Sequence, residues 1–332
     1  MKKLSALFLM GVVMFSCKNK TTEEDPAPEN PIVVADKVYP DSVWNVTGTG
    51  PHLIFKFKFD STQARLDNVG NPSTTIPAGR SAYSPVFNKM ASHYIELATA
   101  DSVAFQAGTV LYHAPETTKG GATAIDFAYS TVVREGATFF SVPLSHFTAG
   151  QSFKWLRVSL SYQNYDIPTK ANGMIFKTTV ASFLGFQTYV PKYKIKTQDY
   201  VPSSPSPVNG PGANHPQGYW GTETYIAGLT PPYYMLDGQA QSATTTVVNA
   251  NQLSQIPAGT CVVTAKFTDA TGNVTPLVIP TNPTQDIIVT VSLSTNKSFE
   301  FTDGNGDGYY EPATGDVPVD MGIRGMIPKV QY

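Results

Sequence analysis

Near the C-terminus, Asp303-Gly304-Asn305-Gly306-Asp307-Gly308 places oxygen-bearing side chains at every second position, with a glycine after the third. Calcium takes six to eight oxygen ligands, and a loop that supplies them from alternate residues needs a glycine for its sharp turn. Counting Asp303 as position 1, Asn305 is 3, Asp307 is 5, Gly308 is 6 and the Tyr309 carbonyl is 7. Position 12 is Thr314 where a bidentate Glu is wanted, so Glu311 or Asp316 must supply the missing carboxylate. The reading is a calcium loop that stiffens the C-terminal segment; the alternative is a hairpin held by Asx turns with no metal.

The five histidines are His52, His93, His113, His146 and His215. His93 and Glu96, and His113 and Glu116, stand in His-x-x-Glu spacing, which offers an alternative metal pair in His93 and His113. Residues three apart on a strand face opposite sides, which argues against joint action of His93 and Glu96. His113 leaves its strand at Pro115, so its ring and Glu116 can converge; the competing reading is a histidine satisfied at the solvent edge. A third group is aromatic: Tyr219, Trp220, Tyr225 and Pro231-Pro232-Tyr233-Tyr234. Trp220, Tyr233 and Tyr234 are candidate platforms for a glycan or an envelope protein, or else rings that pin an irregular loop to a sheet. The sequence holds no Gly-x-Ser-x-Gly elbow, His-Glu-x-x-His helix or phosphate loop, so no catalytic residue is assigned and a non-catalytic role is favoured.

Strands must position these groups. His52 to Phe59 alternates Phe55, Phe57 and Phe59 with Lys56 and Lys58, and Phe153 to Tyr162 sets Leu156, Val158, Leu160 and Tyr162 against an outward row of Arg157, Ser159 and Ser161. Further strands are predicted over 93–97, 109–113, 138–142, 174–180, 187–197, 261–268, 286–293 and 298–302, and no segment sustains a helical period. The predicted fold is all-β, an antiparallel β-sandwich. The proline-rich stretch 201–219 is predicted as a long loop, with a subdomain boundary near 200–218 as the other possibility.

The first sixteen residues carry Lys2 and Lys3, an apolar run from Leu4 to Phe15 and a small Ser16 before Cys17. That layout predicts a signal peptide over 1–16, too short for a membrane span of roughly 20 residues. Residues 17–48 read as a polar, proline-rich tether, and a flexible coil of that length spans roughly 30 Å. The body is predicted over 49–332. Without residues 1–16 the chain has 21 basic and 25 acidic residues, a net charge of −4, which disfavours nucleic acid as a partner. Cys17 and Cys261 are the two cysteines, and Cys261 is predicted to be a buried small hydrophobe.

Four resemblances follow from these residues. The Asp303 loop resembles the first half of an EF-hand calcium loop, with a strand where the entering helix would stand. Ser16-Cys17 after the apolar run resembles the lipobox of bacterial lipoproteins, with Met14 where an aliphatic residue is usual; it implies lipidation of Cys17 and membrane anchoring in the cell envelope. Glu23-Glu24-Asp25 beside that cysteine resembles the tag that sends some outer-membrane lipoproteins to the cell surface, so display there stands open against the periplasmic face. Finally, Leu53 to Asp60, Tyr94-Ile95-Glu96-Leu97 and Ser298 to Asp303 resemble segments of the MbnP-like envelope proteins. This implies a β-rich fold and, as an alternative function, copper handling or partnership with a redox enzyme; it assigns no copper ligand residue by residue.

Overall fold

The computed structural model describes residues 48–202, 212, 214–240 and 247–332. The Cys17 lipidation site, the signal peptide, the tether up to residue 47 and residues 203–211 of the proline-rich stretch lie outside the described residues.

Twelve strands carry the argument: β1 His52–Asp60, β2 Val86–Ala98, β3 Thr109–His113, β4 Thr138–Pro143, β5 Trp155–Ala171, β6 Met174–Phe183, β7 Tyr219–Tyr225, β8 Tyr233–Gln239, β9 Val262–Lys266, β10 Ile287–Ser294, β11 Phe299–Thr302 and β12 Met326–Gln331. The described residues contain short 3-10 turns and no α-helix. One sheet runs β12-β10-β1-β4. The larger sheet runs β8-β7-β6-β5-β9, with β2 added along the other side of β5 and β3 beyond it. Most pairs are antiparallel, as predicted; β1 and β10 pair in parallel from Leu53↔Ile287 to Asp60↔Ser294.

The phenylalanine alternation of β1 buries Phe55 and Phe57 between the sheets, while Phe59 is partly covered. Phe57 stacks on Phe139 at 3.7 Å between ring centroids. Leu53, Val289 and Val291 of one sheet share this core with Ile95, Leu97, Leu156 and Val158 of the other, which makes the body a sandwich. Each such side chain contributes roughly 1.5–3 kcal/mol by leaving water.

The outward row read for β5 is corrected by the structure: Arg157, Ser159 and Ser161 are all buried. The larger sheet is covered on both faces, with Tyr162, Phe183, Tyr193 and Tyr219 packed together in a separate cluster. On the second face the Ser159 hydroxyl donates to the Thr260 carbonyl, whereas the Ser161 hydroxyl is buried with no partner among the described residues. Glu96 and Arg157, both without exposed side-chain surface, pair at 3.1 Å. Cys261 is a free, buried thiol, and burial pushes its pKa up to about 12.

The aromatic stretch after the prolines is strand as well. β7 pairs with β6 from Phe183↔Tyr219 to Thr178↔Thr224, and with β8 from Tyr219↔Gln239 to Tyr225↔Tyr233. Strands from both sides of 201–218 thus share one sheet.

Candidate functional site

β5 climbs to a hairpin turn at Asn172-Gly173, both with left-handed backbone (φ 50° and 74°), the geometry a two-residue turn between twisted strands requires. β6 descends, β7 climbs again and β8 descends, so residues 171–175 and 225–234 lie at one pole of the larger sheet. Met174, Ile175, Tyr225, Leu229 and Tyr234 are all exposed there, Tyr225 at 58% and Tyr234 at 50%. Tyr233 is half-buried, and Tyr225 meets its ring edge-on at 5.7 Å. Isolated exposed apolar residues are ordinary, whereas a cluster on neighbouring hairpins is a feature of interaction sites.

Trp220 lies elsewhere. It is buried with Tyr165, Phe299 and Phe301, and its register partner is Gly238, where a Cβ would come within 2.6 Å of the indole. A glycine inside a strand marks such a close approach. Trp220 anchors β7, and the exposed rings are Tyr225 and Tyr234.

The Asp303 loop stands at the same pole. Asp303 Oδ1 accepts the Gly306 N–H at 2.8 Å, and Oδ2 accepts the Gly308 N–H at 2.9 Å and the Ser81 hydroxyl at 2.7 Å. The Ser81 hydroxyl and these amides hold its carboxyl below the usual range. Gly306 and Gly308 both have positive φ, which lets their amides turn inward. Asn305 Oδ1 accepts the Asp307 N–H at 3.1 Å, and its Nδ2 donates to Glu311 Oε2 at 2.7 Å. Asp316 accepts the N–H groups of Gly304 at 3.3 Å and Glu311 at 3.0 Å. Asp303, Glu311 and Asp316 are buried, whereas Asn305, Asp307 and Tyr309 are exposed.

A cation already serves this cluster. Lys170, near the end of β5, pairs with Asp307 and with Glu311 Oε1, the latter at 3.2 Å, and its ammonium lies 5.2 Å from the centre of the Tyr309 ring. Its backbone N–H donates to the Tyr310 carbonyl at 2.9 Å. The ion pair holds the Asp307 carboxyl below its ordinary range. Hydrogen bonds hold Asp303, Asn305, Asp307, Glu311 and Asp316 in one loop, yet among the described residues no three His, Cys, Asp or Glu side chains converge closely enough to hold a metal ion. The donor chemistry suits calcium; the present geometry is that of a loop closed on lysine. Nothing local in the sequence marks Lys170, which stands 137 residues before its partner.

The two histidines also meet. His93 and His113 lie on paired strands with ring centroids 6.2 Å apart, and His113 Nε2 bonds to Glu116 Oε1 at 3.1 Å. Burial, reinforced by His113, lowers the His93 pKa to about 3. Glu96 turns instead to Arg157 and to the amides of Gln106 and Gly108.

Compared with known protein families, curated proteins and solved structures, the chain matches none. Among the described residues no helix is long and apolar enough to cross a membrane.

Proposed function

We propose that this chain is a membrane-anchored, non-catalytic binding module of the cell envelope, tethered through lipid on Cys17 and recognising a glycan or an envelope protein at the pole of Tyr225, Tyr233 and Tyr234. The observation that carries the reading is placement. The Asp303 loop grips β5 at Lys170, next to the hairpin whose tip presents Met174 and Ile175. The body begins at the other pole: Phe59, at the end of β1, meets Phe87, which is paired with Tyr165, so the start of β1 lies toward the Trp155 end of β5. Seventeen residues of strand at about 3.3 Å each make β5 about 55 Å long, so the tyrosines lie at the pole opposite the start of β1. Either membrane face, cell-surface or periplasmic, is compatible with that arrangement.

Calcium is the expected brace of this pole, held by Asp303, Asn305, Asp307, the Tyr309 carbonyl, Glu311 and Asp316, and it displaces the Lys170 ammonium on entry. Calcium at a hundred times its dissociation constant is expected to stabilise the fold by about 2.7 kcal/mol, and Asp303→Ala is expected to abolish that gain. Thermal melts of the full chain in EGTA and in excess calcium decide this; a calcium-insensitive melt would leave Lys170 as the brace.

Tyr234→Ala, with Tyr225→Ala, is expected to weaken binding at least tenfold on a glycan array or to a purified envelope partner, with the melt unchanged because both rings are exposed. Undiminished binding by the double variant would remove the aromatic pole from the proposal.

A further inference from the structure

His93 owes its position to a backbone irregularity. On β2, Ser92 faces Leu160 of β5 and Tyr94 faces Ser159, so His93 is an extra residue between two consecutive partners, a β-bulge. Bulges re-aim one side chain out of the strand's alternation. The ring is nine-tenths buried, and its Nδ1 finds no hydrogen-bond partner among the described residues. Across the β2–β3 pairing, His113 is set opposite Tyr94, and the next amide, of Ala114, donates to the His93 carbonyl at 2.7 Å. Phe186 lies 6.0 Å from the His93 ring and Tyr94 lies 6.0 Å from that of His113, so apolar rings flank the pair.

We infer that His93 and His113 form a two-imidazole site for a zinc-class divalent ion, with Glu116 as the positioning residue. With His113 Nε2 donating to the Glu116 carboxylate, the Nδ1 lone pair is left free for a metal, the arrangement by which carboxylates commonly orient ligating histidines. Zinc–nitrogen bonds of about 2.0–2.1 Å place a ring centre about 3.2 Å from the ion, so two ligating rings lie at most about 6.4 Å apart, and about 5.2 Å apart in a tetrahedral site. The observed 6.2 Å needs about 1 Å of closure. His113, at the end of β3 with 38% of its side chain exposed, is the ring free to supply it. His113 and Glu116, with 38% and 27% of their side chains exposed, form the solvent-facing side of the pair. Nitrogen donors separate this site from the oxygen-lined Asp303 loop, and Cu²⁺ binds any such pair more tightly than Zn²⁺, which makes zinc the more discriminating probe. The inference does not depend on the calcium or aromatic readings.

The test is calorimetric titration of the untagged full chain with Zn²⁺, with Co²⁺ absorption as a readout of coordination. Expected are one equivalent of zinc, undisturbed by excess calcium, and at least tenfold weaker uptake in His113→Ala. Glu116→Gln is expected to keep the stoichiometry while weakening affinity 10- to 100-fold. Circular dichroism checks that each variant stays folded, and His93→Gln supplies the second ligand test. No uptake by the native chain, or native uptake by His113→Ala, overturns the site.

Discussion

Arg157→Ala is expected to destabilise the body by about 3–5 kcal/mol, the cost of leaving one member of a buried ion pair uncompensated. Arg157 and Glu96 have no exposed side-chain surface. The guanidinium also donates to the Ala104 carbonyl at 2.9 Å, the Val103 carbonyl at 2.5 Å and the Ser254 hydroxyl at 2.9 Å. Glu96 in turn accepts the amides of Gly108 at 2.6 Å and Gln106 at 3.2 Å. The pair therefore ties the turn after β2 and the segment before β9 to the middle of the larger sheet. Glu96→Gln, which removes charge and keeps shape, is expected to cost less than Arg157→Ala. Urea denaturation of both single variants and the double variant gives a coupling energy, expected above about 1 kcal/mol for groups in direct contact. Strictly additive effects would show that the two side chains act through their backbone partners and not through each other.

The same pair shows what a single strand's pattern conceals. Leu156, Val158 and Leu160 announce β5 through period two, and the two-sided burial of Arg157, Ser159 and Ser161 does not follow from that pattern, because an outward polar residue and a buried one look alike in sequence. β1, β4, β6 and β10 were legible for the same reason as β5: runs of apolar and β-branched residues bounded by turn residues. β7 and β8 were hidden. Tyr219-Trp220-Gly221-Thr222-Glu223 alternates neither in size nor in polarity, since Glu223 is buried while accepting the amides of Lys196, Thr197 and Gln198. Of the site, the contiguous loop from Asp303 to Asp316 was readable because its groups are close in sequence. Lys170 and the bulge at His93 depend on strand register, which no local spacing records.

The second large effect is a dependence of stability on pH centred on His215. Its ring stacks on Tyr219 with centroids 4.3 Å apart, is fully buried, and has neither nitrogen hydrogen-bonded among the described residues. Burial, opposed by Asp237, lowers its pKa from 6.5 to about 4. The unfolded chain takes up a proton at this histidine below about pH 6.5 and the folded chain does so only near pH 4, so the unfolded state binds more protons in that window. The contribution of His215 is complete above pH 6.5 and is lost as pH falls toward 4, at about 1.4 kcal/mol per pH unit and about 3 kcal/mol in all. His215→Phe keeps a flat ring against Tyr219 and removes the proton site. At pH 7 the variant is expected to equal or exceed the native chain in stability, because two buried polar atoms without partners are replaced by carbon. At pH 4 its advantage is expected to have grown by about 3 kcal/mol. Urea midpoints of both proteins between pH 4 and 7 measure this, and parallel curves would mean that His215 titrates alike in the folded and unfolded chains. Tyr219 begins the strand that ends at Tyr225, and its hydroxyl donates to Asp237 of β8 at 2.9 Å. Protonation beneath that ring therefore loosens the two strands that present the exposed tyrosines, so binding at that pole is expected to weaken in acid along with the fold.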